Sequence, residues 1–159
     1  MGEEETFDGG VNKRAKILVV DDEPMVREAM KLLLEHGGHE VEEVDGGEAA
    51  LARLAEHEFD VVITDFSMPR MQGDQLVVRI REQRPFQRVI MSTGFLDEYK
   101  VFGQPGGHVD AVLLKPFTAK ELGEAVERVL ALEHPGGSDA LPPIFERSPL
   151  DDFVPPPKP

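Results

Sequence analysis

Lys16-Ile17-Leu18-Val19-Val20-Asp21-Asp22-Glu23-Pro24 joins an unbroken aliphatic run to an acidic turn and a proline. A short apolar run without polar alternation reads as a strand buried on both faces, the pattern of a parallel sheet rather than of a half-exposed hairpin. Pro24 suits the first position of a helix, where its missing N–H costs nothing. Val26, Ala29, Met30, Leu33 and Leu34 then recur at helical spacing until Gly37-Gly38 stop the pattern. The stretch is therefore a strand feeding a helix through an acidic loop.

The same rhythm repeats outward along the chain. Val41 and Val44 mark a second strand, and Ala49-Ala50-Leu51 with Leu54 a second helix. Val61-Val62-Ile63-Thr64 runs as a third strand into Asp65. A helix from about Asp74 to Arg84 places Leu76, Val77 and Ile80 inward, Val89-Ile90-Met91 forms a fourth strand, and Ala111-Val112-Leu113-Leu114 a fifth. The last helix starts at Thr118, an N-cap with Glu121 three residues on, and carries Leu122, Val126, Val129 and Leu130 as its apolar stripe. Such alternation predicts an α/β fold: a doubly wound five-stranded parallel sheet with helices on both faces. Between strands four and five, Asp97 to Val109 contains Gly103, Pro105, Gly106 and Gly107. Those residues are costly inside a helix, so a helix there should end before Pro105.

The flanks have a different composition. Residues 1–14 carry Glu3, Glu4, Glu5, Asp8 and Gly9-Gly10 with almost nothing to bury, and read as a disordered leader. Residues 134–159 hold eight of the thirteen prolines and read as a disordered Pro-rich tail, although Phe145, Leu150 and Phe153 give it side chains with which to dock. Residues 15–133 are then one folded domain. Each flank contributes two of the fourteen net negative charges, so the middle is itself acidic. With no Lys/Arg cluster visible, that surface argues against direct nucleic-acid or anionic-lipid binding. The chain lacks cysteine and any apolar run near the roughly 18 residues a membrane span needs, which fits a cytoplasmic protein.

In open α/β sheets, active groups gather at the carboxyl ends of the strands. Here those ends carry Asp21-Asp22-Glu23, Asp65, Ser92-Thr93 and Lys115-Pro116. Carboxylates brought together repel one another, and relief comes from a proton or a cation; a hard divalent ion such as Mg²⁺ suits an all-oxygen set. Lys115 by charge and Thr93 by hydrogen bond could hold the remaining oxygens of a phosphoryl group, with Asp65 as the nucleophile. A flavodoxin-like nucleotide binder would share the alternation, but Asp21-Asp22-Glu23 would repel a phosphate in the first loop. Taken alone, Asp21 and Asp22 read as ordinary acids at a helix start, and Thr93 and Lys115 as ordinary strand-end groups. Their convergence with Asp65 favours the functional reading. The five histidines are scattered without ligand spacing and read as structural or exposed, and the methionines as core and loop packing.

Ile17-Leu18-Val19-Val20-Asp21-Asp22-Glu23-Pro24, Asp65-Phe66-Ser67-Met68-Pro69-Arg70-Met71-Gln72-Gly73, Thr93-Gly94 and Leu114-Lys115-Pro116-Phe117 together resemble the receiver domain of two-component response regulators. The resemblance covers roughly residues 15–133 in order and spacing. It implies a flavodoxin-like (βα)5 fold and a phosphorylation-controlled signalling switch rather than an enzyme with a separate substrate. It implies Asp65 as phosphoacceptor, Asp21 and Asp22 as Mg²⁺-site acids with Asp65 and the Ser67 backbone carbonyl completing the protein ligands, and Thr93 and Lys115 as the phosphate-sensing pair. The donor implied is phosphohistidine on a sensor histidine kinase or a histidine phosphotransfer protein, and Lys115-Pro116 would be cis. One departure stands out: Val112 replaces the Tyr or Phe that receivers usually place there, so an aromatic rotamer switch is unavailable. Two rival readings are a constitutive interaction module that keeps the fold without using phosphate, and a metal-dependent phosphatase. The intact acids, Thr93 and Lys115 speak against the first, and the lack of a visible general acid or cap insertion against the second.

Overall fold

The computed structural model describes residues 14–94, 108–133, 135 and 142–147. Among them the strands are β1 (Lys16–Val20), β2 (Glu40–Val44), β3 (Val61–Asp65), β4 (Arg88–Thr93), β5 (Ala111–Leu114) and β6 (Ile144–Phe145). The helices are α1 (Pro24–His36), α2 (Gly47–Glu56), α3 (Gly73–Gln83) and α4 (Ala119–Leu130). All strands pair in parallel in the order β2-β1-β3-β4-β5-β6. The expected short helix between Asp97 and Val109 falls almost wholly outside the described residues.

Burial on both sheet faces explains the aliphatic runs. Along β1, Ile17 and Val19 face a cluster built with Met30 and Leu34 of α1 and Leu122, Ala125, Val126 and Val129 of α4. Leu18 and Val20 face the opposite cluster, with Ala50 and Leu54 of α2 and Leu76, Val77 and Ile80 of α3. Each inner strand thus satisfies two apolar layers at once, whereas β2, at the sheet edge, is Glu-Val-Glu-Glu-Val with only Val41 buried. On α1 the buried stripe is narrower than its spacing suggested: Ala29 and Leu33 are exposed, and so is Met25 beside the acidic loop.

Among the described residues a sixth, two-residue strand joins the five expected ones, and it comes from the stretch read as a disordered tail. Ile144 and Phe145 lie beside Val112 and Leu113, and the Val112 N–H donates to the Pro143 carbonyl at 2.9 Å. Proline content disguised a two-residue strand, because Pro142-Pro143 precede the pairing residues rather than interrupt them.

Strand order reverses between β1 and β3, since the chain leaves β1 for β2 on one side and returns to β3 on the other. A crevice at the carboxyl ends of these two strands follows from that switch. Asp21 and Asp65 stand at its two lips.

Candidate functional site

Asp21 follows β1 directly and is 1% exposed. Its N–H donates to the Val44 carbonyl at 3.2 Å, and its Oδ1 accepts from the Glu23 N–H at 2.9 Å. Arg27, one turn into α1, donates to the Asp21 carbonyl at 2.8 Å while pairing with Glu43 at 2.9 Å. The acidic loop is thereby pinned on both sides. Asp22, the next residue, is half-buried.

Asp65 ends β3 at 7% exposure. Lys115 reaches across from the end of β5, its Nζ 3.0 Å from Asp65 Oδ1 and 3.5 Å from Asp21 Oδ2. The Lys115 N–H donates to the Thr93 carbonyl at 2.8 Å, so the ends of β4 and β5 are tied at this point. Thr93 is buried, Ser67 lies exposed in the loop after β3, and Lys115-Pro116 is cis. Asp21, Asp22, Asp65, Thr93 and Lys115 thus occupy the ends of β1, β3, β4 and β5 as the sequence suggested.

Oxygen atoms of Asp21, Asp22 and Asp65 lie within 4.8 Å of one another. That density of carboxylates has an electrostatic signature. The Asp65 carboxyl is pushed up to about 6: burial is the largest cause, the Lys115 hydrogen bond and charge pull it back, and Asp21 and Asp22 push it up again. Burial alone would depress the Lys115 ammonium, but Asp65 and Asp21 outweigh it and hold its pKa above the usual lysine value. An all-oxygen set with excess negative charge fits a hard divalent cation.

Two features escaped the sequence reading. A Cβ on Gly73 would sit 2.2 Å from the Asp65 carbonyl oxygen and 2.9 Å from Met91 Sδ, so only glycine lets α3 start against the site. Asp74, next in the chain, is fully buried with no hydrogen-bond partner on either carboxylate oxygen among the described residues. An acid in the first turn of a helix is so ordinary that nothing in the sequence distinguishes it. Its burial comes from tertiary packing.

Fold and site together define a doubly wound parallel α/β protein with an acid–lysine cluster at its topological switch. Residues 17–127 match the family described as response regulator receiver domain. The chain is 35% identical over 122 residues to chemotaxis protein CheY-3 of Vibrio cholerae, covering 75% of this chain and 94% of that one. It is 38% identical over 133 residues to response regulator protein FleR of Pseudomonas aeruginosa, covering 83% of this chain but only 28% of the longer relative. Among solved structures, chemotaxis response regulator CheY4 of Vibrio cholerae superposes with a TM-score of 0.68 at 33% identity, covering 74% of this chain and 99% of that one. Response regulator protein TrrA of Thermotoga maritima, solved in complex with Mg(2+)-BeF, gives 0.66 at 32% identity, covering 72% and 97%. The chain belongs to the response-regulator receiver family of two-component systems. No helix among the described residues is long and apolar enough to cross a membrane.

Proposed function

We propose that this receiver domain accepts a phosphoryl group on Asp65 from a phosphohistidine donor on a sensor kinase or phosphotransfer protein, assisted by Mg²⁺, and signals by the change that follows. The observation that carries the reading is the Lys115 ammonium held between Asp65 and Asp21, with Asp22 close by.

An Asp65 carboxylate oxygen attacks phosphorus, the P–N bond to the donor imidazole breaks, and the product is an acyl phosphate. Asp21, Asp22, Asp65 and the Ser67 carbonyl would hold Mg²⁺, whose chemistry is to neutralise charge on the phosphoryl oxygens. Lys115 exchanges one Asp65 oxygen for a phosphoryl oxygen without leaving Asp21, and the Thr93 hydroxyl donates to another. TrrA's complex with Mg(2+)-BeF supports a divalent-ion site in this fold.

Incubating the full chain with Mg²⁺ and acetyl phosphate, then mapping peptides by mass, tests the assignment. Phosphorylation should fall on Asp65 and be abolished in Asp65→Asn. Undiminished labelling of the variant would defeat it.

A further inference from the structure

β5 is flanked on both sides, and the two sides are unequal. Towards β4 it is held by the Asp110 N–H to the Val89 carbonyl and the Lys115 N–H to the Thr93 carbonyl, both 2.8 Å, with four residues in register. Towards β6 only Val112 and Leu113 are in register, with Ile144 and Phe145. Without β6, Ala111-Val112-Leu113-Leu114 would be an open, wholly apolar edge, the kind that recruits strands from other chains.

We propose that residues 142–147 are a displaceable self-ligand of the β5 edge: they dock by strand addition and deny that edge to any other extended segment. Three observations carry this. First, the side chains straddle the sheet: Ile144 packs on the cluster containing Val112 and Met91, and Phe145 on the one containing Leu113 and Ala125. Two adjacent apolar residues, one for each face, are what a docked strand supplies. Second, the contact is small. Both side chains are only half-buried, and Glu146 and Arg147 beyond them are exposed. Third, Pro142-Pro143 restrict the approach to extended conformers and reduce the ordering that docking requires. Residues 131–141 join the segment to α4, short enough for an effective concentration near the millimolar range. A free competitor is therefore excluded from the intact chain until the segment lifts.

The test uses the full chain and its Ile144→Asp/Phe145→Asp variant. In wild type, the Val112 amide should exchange with solvent through a local opening, at least tenfold faster than the β1 amides. In the variant it should speed up a further tenfold or more while the β1 amides stay unchanged, which shows the rest of the sheet intact. A fluorescent peptide of residues 140–151 should bind the variant at least tenfold more tightly than wild type. Wild-type Val112 exchanging only together with β1 would show a permanent strand and overturn the proposal. So would a variant that leaves Val112 protected, a variant that does not bind the peptide, or a dimer in which the segment is swapped between two copies.

Discussion

Replacing Asp65 by Asn should stabilise the protein near neutral pH in the absence of divalent cations. Burial, reinforced by Asp21 and Asp22 and only partly countered by Lys115, raises the Asp65 carboxyl from 3.8 to about 6. The folded state therefore holds more protons than the unfolded chain between those values, and stability falls as pH rises through that window before levelling above it. The full displacement corresponds to about 3 kcal/mol, and solvent screening at the crevice reduces the expected gain to about 1–2 kcal/mol. Asn keeps the shape and can still accept from Lys115, which retains Asp21 at 3.5 Å. Urea unfolding in chelator across about pH 4.5 to 8 should show Asp65→Asn more stable than wild type at the alkaline end, with the difference shrinking towards the acid end. A variant no more stable than wild type at about pH 7.5, or a difference indifferent to pH, would refute the electrostatic account.

Mg²⁺ should reverse that penalty in the wild type: at about ten times its dissociation constant it should add about 1.4 kcal/mol, most of it lost in Asp22→Ala, and a melting temperature insensitive to millimolar Mg²⁺ would contradict this. Gly73→Ala should cost about 2–3 kcal/mol because its Cβ meets backbone, whereas Gly47→Ala, which meets the flexible Met71 side chain at 2.5 Å, should cost about 1 kcal/mol or less; equal losses in chemical denaturation would show the Gly73 contact to be soft.

Legibility in the sequence followed the range of the interactions. The β1, β3, β4 and β5 runs were readable because burial on both faces demands largely aliphatic residues, and β2, an edge strand with three glutamates, only from Val41 and Val44. Thr118 with Glu121 was readable because capping is local: Glu121 Oε1 accepts from the Thr118 N–H at 2.8 Å and hydroxyl at 2.7 Å. The positions of Asp21, Asp65, Thr93 and Lys115 followed from strand ends converging in any parallel sheet. Long-range features stayed hidden. Arg27 looks like a surface arginine on α1 until Asp21 and Glu43 are placed around it. Arg81 looks like another, yet it sits nearly buried against Asp110, whose carboxylate also accepts from the Val89 N–H at 2.8 Å. β6 stayed hidden because two residues carry no periodicity, and only the open edge of β5 makes them a strand.

Charge counting across the cluster shows why the cation and the phosphoryl group belong to one device in the proposed function. Three carboxylates face one ammonium, so the fully ionised site keeps two negative charges uncompensated, which a single divalent ion matches and a monovalent ion does not. Converting the Asp65 carboxylate to an acyl phosphate replaces one negative charge with nearly two, while Asp21, Asp22 and Lys115 keep theirs. The site then needs the cation more after transfer than before it. Reciprocity requires that whatever the phosphoryl group adds to Mg²⁺ affinity, Mg²⁺ adds equally to the stability of the phosphorylated state. Lys115 is the element that links this exchange to the sheet. In the proposed transfer it would leave one Asp65 oxygen for a phosphoryl oxygen while its own N–H, tied to the Thr93 carbonyl at 2.8 Å, stayed in place, so the charge change would be delivered to the ends of β4 and β5 together.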